Sequence, residues 1–287
     1  MWRVKLCLFL DVHSPLPVER QIRAAKAAGF DGFFTRYHSG DPVADWKRAA
    51  DEADMEYQAL HAPTDGSRAL WEGGDAAETA VAALSDCLHA CADNGVTLMV
   101  MHVFCGYDAG GGITETGLRN YTRVIDEAER LGIRVALENT EGEPYLAALM
   151  RQFEHRPHVG FCWDTGHELC YNHGKDMMAL YGSRLMYTHL NDNLGIRDYH
   201  GAIGFTDDLH LLPFDGIADW EGIVDRLNAS GFDGALTFEL KIPSKPGRFD
   251  NAAYERLPFE EYLALAYQRA CRVAALKLRR AHTAHSL

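Results

Sequence analysis

Gly160-Phe161-Cys162-Trp163-Asp164-Thr165-Gly166-His167 is the stretch that decides how this chain is read. An apolar, strand-like run ends on a carboxylate and, three residues later, on an imidazole. A strand of a β/α barrel presents ligand-type groups at its open rim in this way. Runs of the same kind close on His61, His102, Glu138-Asn139, His189-Leu190-Asn191-Asp192 and Glu239, with Asp207-Asp208-Leu209-His210 between the last two. Any one of these is more often an ordinary hydrogen-bonded residue than a ligand. Together they form a repeated set of carboxylates and imidazoles at strand ends, which is what a divalent-metal site needs.

Working outward, strand-like and helix-like stretches alternate along all 287 residues, the pattern of a parallel sheet covered by helices. Strands are expected at 5–10, 31–35, 56–61, 96–102, 133–138, 159–163, 184–190 and 235–240. Helices are expected at 18–28, 43–53, 76–92, 116–131, 175–181, 220–230 and 258–279, with a further one opened by Pro144. Gly29, Gly132 and Gly231 each stand between a helix and a strand and read as helix stops. An open doubly wound sheet would place a glycine-rich loop after the first strand, whereas here Asp11-Val12-His13-Ser14-Pro15 follows. The expectation is one (β/α)8 TIM barrel spanning residues 1–287, near the usual length of about 250 for that fold.

Composition narrows the function. The chain is 47% hydrophobic and 10% aromatic, enough for a large core. Its 28 Lys and Arg against 41 Asp and Glu give a net charge of −13, and the loops show no Arg or Lys cluster, so no nucleic-acid partner is expected. Seven cysteines do not make a disulfide framework in a chain of this size, which points to a cytoplasmic compartment. No run has the length and polarity of a signal peptide or a transmembrane helix, and no membrane partner is expected.

The segments Ala136-Leu137-Glu138-Asn139, Cys162 to His167, His189 to Asp192, Asp208-Leu209-His210-Leu211-Leu212-Pro213 and Phe238-Glu239 resemble the xylose-isomerase-like barrel superfamily, and within it the sugar and sugar-phosphate isomerases and epimerases. The resemblance implies one divalent ion (Mn, Zn, Co or Mg) held by Glu138, Asp164, His189 and Glu239. It also implies that Glu138 and Glu239 act as an acid/base pair, moving a proton through a metal-stabilised enediolate. His167 and Arg197 would hold substrate oxygens, joined by His61, His102 and Trp163 around a sugar or polyol. Phe9, Phe104 and Tyr107 are further candidate walls, and Asn139 and Asn191 candidate supports for the ligands. Relatives of this kind also form homo-oligomers, to which Phe249, Tyr254 and Phe259 are candidate contributors.

The same superfamily holds apurinic-site endonucleases of the endonuclease-four type, which cleave a phosphodiester with a multinuclear zinc site. That resemblance would recruit Asp208 and His210 as additional metal ligands beside His61, His102 and His167. Charge and the run from Asp208 to Trp220 favour the sugar enzymes.

Overall fold

The computed structural model describes residues 4–106, 111–197 and 204–284. Eight parallel strands, β1 (Leu6–Leu10), β2 (Gly32–Arg36), β3 (Glu56–His61), β4 (Leu98–His102), β5 (Arg134–Glu138), β6 (Val159–Asp164), β7 (Leu185–His189) and β8 (Leu236–Phe238), pair in chain order, with β8 returning to β1. The ring is joined between β7 and β8 by the parallel bridge Leu190–Phe238, where Leu190 N donates to the Thr237 carbonyl and Glu239 N to that of Leu190. The result is a (β/α)8 barrel.

Helices α1 (Val18–Ala28), α2 (Val43–Glu52), α3 (Ala69–Glu72), α4 (Asp75–Asp93), α5 (Glu115–Leu131), α6 (Glu143–Gln152), α7 (Thr165–Cys170), α8 (Met177–Tyr181), α9 (Trp220–Ala229) and α10 (Phe259–Ala284) alternate with the strands. Gly29 and Gly132 cap α1 and α5 in the left-handed region, at φ 115° and 72°, which is why glycine stands there. Two short helices, α3 and α7, were not foreseen, because four to six residues are too few for a helical period to show. None of the described helices is long and apolar enough to cross a membrane.

Side chains alternate across each strand, and that parity sorts the molecule into two cores. The outer core lies between strands and helices and takes Phe33, Leu60, Met99, Leu137, Phe161, Trp163 and Phe238. The inner core fills the barrel with Phe9, Phe34, Ala59, Leu98, Val100, Ala136, Cys162 and Tyr187. One step further along the same interior face, the strands end in Arg36, His61, His102, Glu138, Asp164, His189 and Glu239. A polar layer thus rests on an apolar floor at the C-terminal mouth of the barrel, where barrel active sites form.

Candidate metal centre

Glu138, Asp164, His189 and Glu239 converge: each offers a ligand atom and these atoms lie within 4.8 Å of one another, all buried. Three further groups overlap or adjoin them: His61 and His102 against Glu138, Cys162 against Glu138 and His189, and His167 with Asp208 and His210. Glu138 is the hub. Its Oε2 lies 3.2 Å from His61 Nε2 and 3.3 Å from His102 Nε2, and its Oε1 lies 3.2 Å from His167 Nδ1 and 3.1 Å from His189 Nδ1. Glu239 Oε2 is also 3.1 Å from His189 Nδ1.

The supporting hydrogen bonds fix which ring nitrogen is free. His61, His167 and His210 donate from Nδ1 to the carbonyls of Ala62, Asn139 and Glu239, at 2.9, 2.9 and 3.1 Å. With Nδ1 carrying the proton, a neutral ring turns a bare Nε2 lone pair outward. Those nitrogens face carboxylate oxygens: His61 faces Glu138 at 3.2 Å, and His167 and His210 face Asp208 at 3.4 and 2.8 Å. Lone pair against lone pair is repulsive unless a cation, a proton or a metal ion, stands between. Buried Glu138 Oε1, Asp208 Oδ1 and both ring nitrogens of His189 also have no hydrogen-bond partner. Oxygen and imidazole donors left unsatisfied at this depth fit a divalent ion.

Titration reflects the same crowding. Burial favours the neutral form of Glu138, but the imidazoles of His189, His102 and His167 outweigh it and hold the carboxyl well below its ordinary range. Burial and the like charges of Glu138 and Glu239 push Asp164 to about 7, against the pull of His167 and His189. His102 and His210 are drawn down to about 4 by burial, although Glu138 and Asp208 oppose it. Burial also acts to lower His167, yet Asp164, Asp208 and Glu138 raise it well above the usual imidazole value.

Local structure explains how Asp164 and His167 are aimed. Asp164 ends β6 and caps α7: its Oδ1 accepts from His167 N at 2.7 Å, placing His167 one turn on and over the same mouth. Asn191 holds both Asp164 oxygens, its Nδ2 donating at 3.1 and 3.0 Å, and Asn139 Oδ1 accepts from Asp164 N at 2.8 Å. Gly166 is required beside them, since a Cβ there would stand 2.0 Å from Asn191 Oδ1. His210 reaches the centre from a left-handed backbone, φ 50°, a conformation that costs about 1 kcal/mol or more for a non-glycine residue and concentrates at functional sites.

Two expected substrate contacts are corrected. Trp163 cannot share the barrel interior with Asp164, because neighbours on a strand point to opposite faces. Its ring is fully buried in the outer core, Nε1 donating to Glu168 Oε2 at 2.9 Å under the guanidinium of Arg226. Arg197 stands outside the cluster: its side chain is 59% exposed and it leans on Asp207 and Thr206 of its own loop. Phe104 likewise stacks on Tyr145 in the outer core, and Tyr107 lies outside the described residues. Phe9 does face the barrel interior, packed on Phe34, which stacks on His189.

Beside this cluster lies a cavity of about 110 Å³ whose lining includes His102, His167, Asp208, His210, Glu239 and, unforeseen, Arg36. The strand expected at 31–35 stopped one residue short of Arg36, although Arg36 keeps the interior parity of Phe34. The expectation of no basic cluster also needs correction, since Arg36, Lys241 and Lys245 all approach this mouth.

A family model described as a xylose isomerase-like TIM barrel matches residues 22–257. The chain belongs to that family. Among curated proteins, the uncharacterized protein y4fM of Sinorhizobium fredii (strain NBRC 101917 / NGR234) is 30% identical over 162 residues, 53% of this chain and 49% of that protein. This xylose isomerase-like barrel therefore spans about half the length of the curated relative it matches. Among solved structures, a xylose isomerase domain protein from Planctomyces limnophilus superposes with a TM-score of 0.72 at 16% identity, over 94% of this chain and 98% of the other. The IolI protein with a bound zinc atom gives 0.70 at 18% identity over 94% and 97%, and an L-ribulose 3-epimerase 0.69 at 16% over 99% and 97%. At these identities the likeness is one of fold.

Proposed function

We propose that this xylose isomerase-like barrel is a divalent-metal-dependent isomerase or epimerase of a sugar or sugar phosphate. The observation that carries the reading is the buried set of Glu138, Asp164, His189 and Glu239, closed around one point with two glutamates in it. Names of structural neighbours support it: one is an L-ribulose 3-epimerase and another a D-psicose 3-epimerase solved with D-fructose. A divalent ion held by those four residues would stabilise the negative charge that develops on substrate oxygens when the neighbouring carbon loses its proton.

The protein's own groups divide the remaining work. Glu239 lines the cavity, and its Oε1 faces away from His189 toward Arg36 and Lys241, each 3.9 Å distant. It is the carboxylate open to substrate. Glu138 is enclosed by imidazoles outside the cavity lining, and would complete the acid/base pair. His102 and His167 line the same cavity and can hold hydroxyls.

Incubation of the metal-loaded protein in D₂O with a panel of ketoses, polyol ketones and their phosphates should place deuterium at the reacting carbon. Glu239→Gln should slow that exchange by roughly 10² to 10⁴. No exchange with any member of the panel would sink the isomerase reading.

A second reading, metal-assisted phosphodiester hydrolysis, is favoured by one observation: the His61–His102–Glu138 and His167–Asp208–His210 groups give ligands for more than one ion. Metal analysis separates the two. Three tightly held zinc ions per chain with cleavage of an abasic duplex would establish hydrolysis; one ion with deuterium exchange would establish the isomerase.

A further inference from the structure

Arg36 ends β2 on the interior parity, and Lys241 follows Glu239 by two residues, past the end of β8. Arg36 NH2 and Lys241 Nζ each stand 3.9 Å from the same atom, Glu239 Oε1, too far for a hydrogen bond. Arg36 Nε is buried and has no hydrogen-bond partner. Lys245 Nζ lies nearby, 3.1 Å from Asp208 Oδ2, an oxygen already used by His210.

Two cations therefore crowd one carboxylate that also belongs to the metal-ligand set. A divalent ion on Glu239 would take up that negative charge, leaving Arg36 and Lys241, whose side chains are only partly buried, without their counter-charge at the mouth. Two like charges held this close are mutually repulsive, and an anion placed between them relieves that repulsion. Arg36 lines the cavity beside Glu239, Asp208 and His210 where substrate would enter, and Lys241 reaches the same Glu239 oxygen from outside that lining. The fork of a guanidinium beside an ammonium suits the oxygens of a carboxylate or a phosphate.

We propose that Arg36 and Lys241, backed by Lys245, form an oxyanion subsite that binds the carboxylate or phosphate of an acidic sugar substrate beside the metal centre. The inference rests on the sugar-isomerase reading and narrows it: the substrate is a sugar acid or a sugar phosphate and not a neutral sugar. The net charge of −13 sharpens the point, since on such a surface a group of cations at the catalytic mouth is a local reversal of sign.

The test is equilibrium binding, without turnover, to metal-loaded wild type and to Arg36→Met and Lys241→Met, using calorimetry with inorganic phosphate, gluconate and neutral glucitol. Wild type should bind one of the anions at least tenfold more tightly than glucitol, and the tighter anion tells phosphate from carboxylate. Each variant should lose roughly tenfold or more in affinity for that anion, with glucitol affinity and metal content unchanged. Anion affinity unaltered by both substitutions, or anion and glucitol weakened alike, would overturn the proposal. So would loss of the metal from either variant, which would make the cations mere supports of Glu239, or anion binding seen only with an abasic DNA duplex. If deuterium exchange fails throughout the panel while the charge-selective binding persists, the isomerase reading falls and the oxyanion subsite stands.

Discussion

Asp164 illustrates how much one residue carries in this centre. It ends a strand, caps a helix and belongs to the proposed ligand set, and burial beside Glu138 and Glu239 raises it to about 7. A ligand must be ionised, so metal binding has to expel that proton. Apparent metal affinity should climb about tenfold per pH unit from 5.5 toward 7 through this group alone, then flatten. Calorimetry in buffers of differing ionisation enthalpy would check it, and affinity independent of pH below 7 would refute it. The sign is opposite for the stability of the metal-free protein. The folded Asp164 binds its proton more tightly than the unfolded one, so its contribution is lost as pH rises from the ordinary carboxylate range to about 7.

At the scale of elements, a second buried acid shows that depth alone does not make a ligand. Asp192 follows β7 and is fully buried, yet its oxygens accept from Phe214 N, Ala218 N and Trp220 Nε1 at 2.8, 2.9 and 2.8 Å. It staples the β7–α9 connection, the same connection that brings Asp208 and His210 to the centre. Asp192→Ala should cost roughly 3 kcal/mol or more by leaving those donors unpaired, read as a lower urea midpoint at unchanged slope. The elements themselves were largely legible: apolar runs and glycine stops placed α1 and β3 to the residue and the other strands within about two. What failed was parity. Trp163 and Asp164 were both read as facing the site, although adjacent strand residues never do, and ending β2 at residue 35 concealed Arg36. Arg197 failed for another reason, since it belongs to a loop whose path no periodicity encodes.

Across the whole molecule, the barrel gathers ligand groups from β3 to β8 and from the β7–α9 connection into one buried volume. Such a concentration of carboxylates is self-repelling without cations. The metal-loaded protein should therefore be more stable than the chelated one by about 4 kcal/mol at a thousandfold excess of ion over Kd. That corresponds to a fall in Tm of roughly 10 °C on adding chelator. Scanning calorimetry with and without chelator measures it, and an unchanged Tm would show that the cluster is neutralised by protons alone. Convergence of this kind is only partly visible in a linear sequence. Strand ends announce themselves, but Asp208 and His210 lie far along the chain from any strand: the sequence shows the pair, and only family resemblance suggested a metal role for it.

The hydrogen bonds that seat His61, His167 and His210 end on main-chain carbonyls, two of them those of Asn139 and Glu239, one residue past β5 and β8. A carbonyl survives every substitution of its own side chain. Ring poses are thus anchored to a scaffold that point mutation does not erase, and a ligand can be deleted while its neighbours keep their aim. Over generations, such a centre is free to shed or regain ions and change chemistry while the barrel around it stays the same.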